Sequence, residues 1–375
     1  MTVLAPTAAG VHAPDVSVLS TGDVRVPVHP VLPMAGPRRA DQPYWPPAGG
    51  EALRTAIAGY MTRQGRGGID ARQVLVASGA RSAILSVLAG ALGDRTEVLL
   101  PSPYWASYPT LISAAGGVPV VVPGRPHEGE LDLDDLRAAR TSRTGALIVN
   151  SPRNPDGAVT PADQLTDVVR WTADHGILLL FDQIYRGIPL SGGPAPSVLD
   201  LWPELPDHCV VIDGLTKSHA LAGLRLGWAV ASDSVLGPAV AFASHVLGGA
   251  CSYAQDVALA VLADGTSGEL GATLDANLDH GLSSLAGIPG VRCPRPRGGI
   301  FLFPDLREWL AGEAPDGARA DVAEWLRLRH RVAVVDGAAF AASGHLRLSF
   351  ALPADQLRTG IVRLRRALIG GQGGE

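Results

Sequence analysis

Lys217 is the only lysine among 375 residues; the other thirty strongly basic side chains are arginine. An amine can shed its proton and attack a carbonyl to form a Schiff base, whereas a guanidinium stays charged. A lone surviving surface lysine in an arginine-rich chain is the plain alternative. The lysine lies in Gly214-Leu-Thr-Lys-Ser-His-Ala-Leu-Ala-Gly-Leu-Arg-Leu-Gly227, behind apolar Val210-Val211-Ile212, with Arg225 eight residues on between Gly223 and Gly227. That context predicts an amine at the mouth of a buried strand.

Other residues could share its chemistry. Asp182 ends the apolar run Ile177-Leu-Leu-Leu-Phe181, where a carboxylate is costly unless a cation or hydrogen bonds pair with it. It could equally cap a following helix. Tyr185, three residues on, could hydrogen-bond an oxygen of a ring seated there. Asn150-Ser-Pro-Arg-Asn-Pro-Asp-Gly157 places amides just beyond another apolar strand, at the edge where ligands bind in parallel sheets. Asn154 is the candidate donor, although a plain turn uses the same residue types. In Pro101-Ser-Pro-Tyr-Trp-Ala-Ser-Tyr-Pro109, Trp105 could stack on a planar ring or fill a core. Ala77-Ser-Gly-Ala-Arg-Ser82 joins a strand to a helix, and the N–H groups of Gly79 and Ala80 suit an anion. Arg347, in the alternating stretch Gly344-His-Leu-Arg-Leu-Ser-Phe350, fits either a solvated face or a bidentate carboxylate clamp. His219 and His345 are read as incidental.

These residues need a scaffold, and the hydrophobic pattern describes one. Apolar runs at 74–77, 98–100, 118–122, 146–149, 177–181, 210–212 and 226–231 predict strands, and intervening segments such as 80–92, 105–115, 134–139 and 161–175 predict helices. Near-continuous Val, Ile and Leu strands between helices indicate a mostly parallel sheet covered on both faces. Residues 234–285 read as mainly helical, broken near Gly265. Short strands at 301–303, 332–335 and 346–350 among helices at 319–330 and 354–369 predict a smaller α+β unit with a disordered glycine-rich tail. The expected organisation is an arm over residues 1–30 turning at Gly22-Asp23 and packed with the small domain, a large domain over 31–280, and a small domain over 281–375. A chain of this length suits such a division.

Taken in order, these segments resemble fold-type I pyridoxal-phosphate enzymes of the aspartate aminotransferase superfamily, class I and II. The resemblance spans residues 22 to 350. It implies pyridoxal 5′-phosphate on Lys217, its phosphate held by Arg225, Thr216 and the Gly79-Ala80-Arg81 turn, its ring under Trp105, its ring nitrogen on Asp182, and its phenolic oxygen on Asn154 and Tyr185. It implies an amino-acid substrate whose α-carboxylate meets Arg347, Asn154 and the Gly22 backbone, with Lys217 as the base for the α-proton. Arg81 matches a position where some members face an acidic substrate side chain. Tyr44, before Pro46-Pro-Ala-Gly49, matches a tyrosine that crosses a dimer interface to the partner's phosphate. An aminotransferase acting on an amino acid and a 2-oxo acid is thus expected, and a homodimer. Two positions depart from the family pattern: Asp156 stands for Thr, and Gln183 for Glu. The same site can run lyase, decarboxylase, cyclase or amino-acid oxidase chemistry, because fold does not fix reaction.

Composition narrows the partners. Net charge is −5, so no basic face argues for nucleic acid or an anionic membrane. Apolar runs are too short to span a bilayer, and the N-terminus has no cationic stretch before an apolar one. Cys209, Cys251 and Cys293 lack metal-ligand spacing or a disulfide framework. The expected setting is a reducing cytoplasm, with no metal.

Overall fold

The computed structural model describes residues 15–26, 44–65, 67–188, 190, 193–264, 270–312 and 314–370. The predicted breaks at Gly265 and the glycine-rich tail lie outside them.

Chain order gives β1 (Ser17–Val18), β2 (Val74–Ala77), β3 (Glu97–Pro101), β4 (Val118–Val122), β5 (Thr144–Asn150), β6 (Leu178–Asp182), β7 (Cys209–Gly214) and β8 (Gly227–Val230). Strands β2 to β8 form one seven-stranded sheet in the order β2-β8-β7-β6-β5-β3-β4. All its neighbours run parallel except β8, which is antiparallel to β2 and β7. Side chains alternate across it. Leu179, Phe181 and Val211 join the core under helices Glu51–Gln64 and Ala162–Asp174, while Leu180, Val210 and Ile212 join the core under helix Ala80–Ala91. Burial on both faces explains why these strands read as unbroken apolar runs.

The C-terminal part adds β9 (Phe301–Leu302), β10 (Val332–Ala333), β11 (Val335–Asp336) and β12 (Leu346–Ser349). Strands β11, β12 and β9 make an antiparallel sheet, whereas β10 pairs in parallel with β1. The single strand expected over 332–335 is therefore two, split between two sheets. The N-terminal segment is tied further by Leu19 N to the Ala333 carbonyl at 2.9 Å and Ser349 N to the Leu19 carbonyl at 2.8 Å. Leu19 is buried in the same core as Leu346, Leu348 and Ile361.

Two helices differ from expectation. The one predicted from residue 105 begins at Tyr108, because Pro109 suits a helix only in its first turn. Trp105 consequently lies in the preceding turn. The helix predicted over 319–330 is divided into Asp316–Ala320 and Val322–His330, where the Asp321 carboxylate accepts the Glu324 N–H at 2.9 Å and caps the second.

Candidate active site

Parallel β5, β6 and β7 end side by side, so Asn150, Asp182 and Gly214 bring their following turns to one sheet edge. Lys217 follows on a short helix, Leu215–Ser218. Its amine donates to the Gly22 carbonyl and lies 5.9 Å from the Tyr185 ring centroid. Burial lowers its pKa from 10.5 to about 8; Asp23 opposes this, and Arg347, Arg81 and Arg225 reinforce it. An amine in that range is available as a neutral nucleophile or base.

Asp182 is buried at the end of β6. Tyr108 Oη donates to its Oδ2 at 2.7 Å and Ile184 N to its Oδ1 at 3.1 Å. Burial still raises its pKa to about 6, against those two hydrogen bonds and the nearby Lys217 charge. Tyr108 was not among the sequence candidates. Its position as the third aromatic of the Tyr104–Tyr108 segment was the only available signal.

Asn154 connects two other candidates. Its Nδ2 donates to Tyr185 Oη at 3.2 Å, and its Oδ1 accepts from Arg347 Nη1 at 3.0 Å. Its own N–H donates to Asn150 Oδ1 at 2.8 Å. Burial raises the pKa of the Tyr185 hydroxyl, so it stays protonated. Arg347 also donates to the Ser20 carbonyl at 3.2 Å, and its guanidinium lies 4.3 Å from the Phe301 centroid and 4.9 Å from that of Phe340. Burial lowers its pKa to about 10. Its buried Nε has no acceptor among the described residues. A buried donor without a partner is costly, and a bidentate carboxylate would satisfy it.

The anion-suited turn meets Arg225. Gly79 has φ +89°, and a Cβ there would stand 2.7 Å from Arg225 Nη2. Only glycine combines that backbone with so close a guanidinium. Arg225 is itself left-handed at φ +52°, an unfavourable conformation that turns its side chain to Gly79. Gly227 lets β8 approach, since a Cβ would lie 2.5 Å from Ala80 N. Arg81 has its guanidinium carbon 5.0 Å from the Trp105 centroid, and Trp105 meets Tyr108 edge-on at 5.2 Å. Thr216 is half-buried beside Lys217. Tyr44 is fully exposed, at 105%, and so stands apart from this cluster.

The two departures are both buried and both paired. Asp156 receives Arg153 Nη2 at 2.5 Å and Nε at 2.9 Å, and accepts the His127 N–H at 2.7 Å. Gln183 donates to Asp213 at 3.1 Å and accepts from Ser197 Oγ at 2.5 Å. His345 stacks on Phe303 at 4.9 Å. His219 is buried, with Nδ1 2.8 Å from Ser218 Oγ.

A doubly covered, mostly parallel sheet with an amine, an acid and an anion turn at one edge is the architecture of the fold-type I enzymes. The family model for aminotransferase class I and II matches residues 14–364. The aspartate aminotransferase of Streptomyces avermitilis is 35% identical over 331 residues, covering 87% of this chain and 81% of that protein. The structure of Thermus thermophilus aspartate aminotransferase with maleate superposes with a TM-score of 0.84 at 32% identity, covering 94% of this chain and 92% of that one. The aromatic aminotransferase of Pyrococcus horikoshii superposes at 0.86 with 27% identity, covering 94% and 96%. The chain belongs to the class I and II aminotransferases, pyridoxal-phosphate-using enzymes that move an amino group between an α-amino acid and a 2-oxo acid.

Proposed function

We propose that this aminotransferase carries pyridoxal 5′-phosphate on Lys217 and works as a cytoplasmic homodimer. The observation that carries the reading is Lys217, with a pKa near 8, beside Asp182, a buried carboxylate with no ion-pair partner among the described residues. A protonated pyridine nitrogen is the cation such a carboxylate lacks. The cofactor, when bound, supplies an electron sink conjugated to the substrate α-carbon.

The protein's own groups divide the remaining work. Lys217 would hold the cofactor through its amine, and as a free amine it would take and return the substrate α-proton. Asp182 keeps the proton on the ring nitrogen, with Tyr108 orienting the carboxylate. Asn154 and Tyr185 hydrogen-bond the ring oxygen. Arg225, Thr216 and the N–H groups from Gly79 to Arg81 hold the phosphate, and Trp105 covers the ring. Arg347 and the Gly22 backbone take the substrate carboxylate. Aspartate, the donor in the names of several relatives, would need a cation at the side-chain end, and Arg81 supports that donor class. The arm over 1–30, large domain over 31–280 and small domain over 281–375 belong to the same proposal.

The homodimer reading rests on one exposed region. Tyr44 is fully exposed, a Cβ added at Gly249 would lie 3.6 Å from the Trp45 carbonyl, and Val246 and Leu247 nearby in the chain are 61% and 38% exposed. A second copy would cover these apolar groups and take Tyr44 into its site. No helix among the described residues is long and apolar enough to cross a membrane.

Borohydride reduction followed by peptide mass analysis tests the assignment: the pyridoxyl tag should sit on the fragment containing residue 217. An amino-donor panel with and without a 2-oxo acid tests the reaction. Turnover needing the acceptor supports transamination; release of ammonia or peroxide without one contradicts it.

A further inference from the structure

The departure at Gln183 leads to a residue that the reading above leaves unused. Asp213 is the penultimate residue of β7, one before Gly214 and four before Lys217. Gln183 directly follows Asp182, the last residue of β6, and the two strands are parallel neighbours with Asp182 opposite Ile212. Alternation sends Asp182 toward Tyr108 on one sheet face, and Gln183 and Asp213 to the other.

On that second face the hydrogen bonds have a determined direction. Ser197 Oγ accepts Leu199 N at 3.2 Å and gives its own proton to Gln183 Oε1 at 2.5 Å. This turns the Gln183 amide nitrogen to Asp213 Oδ2 at 3.1 Å. Asp213 Oδ1 then accepts Gly214 N at 2.7 Å, at the residue where β7 bends into the Lys217 helix. Ser197, Gln183 and Asp213 are 0%, 0% and 2% exposed. An acid at 183 would set two carboxylates face to face in the interior, which explains the amide there. Burial raises the Asp213 pKa to about 7; Gln183 and Gly214 N–H oppose it, Asp182 adds to it and Arg186 offsets it.

We propose that Asp213 is a positioning residue, which through Gln183 and Gly214 ties the turn carrying Lys217 to the strand end carrying Asp182. The acid ends β6 and the amine sits on the short helix that follows β7, and this bridge joins the two strand ends. The inference rests on the reading of Lys217 and Asp182 as the reacting pair.

The test compares four full-length proteins: wild type, Q183E, D213N and the double swap Q183E/D213N. In the double swap the new carboxylate at 183 still accepts from Ser197 Oγ and now from the new amide at 213. That amide's oxygen keeps the Gly214 N–H, so all three bonds survive and only the one between 183 and 213 reverses its polarity. The single variants should lower kcat roughly tenfold or more with KM for the amino donor little changed, a loss confined to the reacting step. With 13C-lysine labelling the chain shows one lysine, and its Cε resonance in protein without cofactor should move in each single variant. The double swap should recover both readouts. Single variants that lose thermal stability alone, with the lysine resonance and kcat unmoved, would overturn the inference. So would a double swap no better than the worse single. If wild type transfers no amino group, the proposed function fails separately, and the lysine resonance still decides the pairing.

Discussion

Lys217 gathers its reactivity from burial among like charges rather than from one partner. Arg347, Arg81 and Arg225 disfavour a further cation there, while Asp23 favours it. The neutral amine is the form that attacks an aldehyde, and its population grows as pH rises through the pKa. We predict that uptake of pyridoxal phosphate by protein without cofactor accelerates with pH along a single curve centred near pH 8, readable by stopped-flow absorbance. A curve centred at the ordinary 10.5 would show that the amine is not buried among these arginines. Residue types alone singled out Lys217 and Asp182, because a sole lysine and an acid closing an apolar strand are both anomalies. Tyr108 was not legible as Asp182's partner. Seventy-four positions separate the two, and only the sheet brings them to 2.7 Å.

At the scale of elements, the turn after β5 shows how one departure is matched by another. Asp156 looked like an isolated change beside Asn154, yet Arg153 three residues earlier fills its carboxylate and also donates to the Arg125 and Glu128 carbonyls. Both side chains are buried. Removing one partner of a buried pair strands the other charge, at a cost of about 3–5 kcal/mol. We predict that D156T lowers the thermal midpoint by roughly 5 °C or more, at a few degrees per kcal/mol. An unchanged midpoint would mean that Arg153 finds other acceptors. Continuous apolar strands were readable as sheet because both faces are covered. The split at residue 334 was not, since two adjacent short strands pair with elements more than three hundred and about ten residues away.

For the whole molecule, the exposed Tyr44 is the feature that a single chain leaves unexplained. If a second copy takes it up, sedimentation should give a dimer, and Y44F should keep that dimer while weakening pyridoxal phosphate affinity about tenfold, the order of one lost charge-assisted hydrogen bond. A fully active monomer would remove Tyr44 from the site. The arm is the other long-range feature. Its Ser20 and Gly22 carbonyls reach Arg347 and Lys217, so residues from the start, middle and end of the chain meet in one place.

The amino-acid sequence by itself determined the class of fold, the order of its strands and helices, and the amine, acid and arginines available for chemistry. Those follow from local periodicity and from residue types that are expensive or useless elsewhere. Tertiary structure alone decided which groups touch: Tyr108 with Asp182, Asn154 with Arg347, and Asp213 with Gln183. Such contacts depend on strand order and on which face each side chain takes, and neither is encoded in any short stretch of the chain.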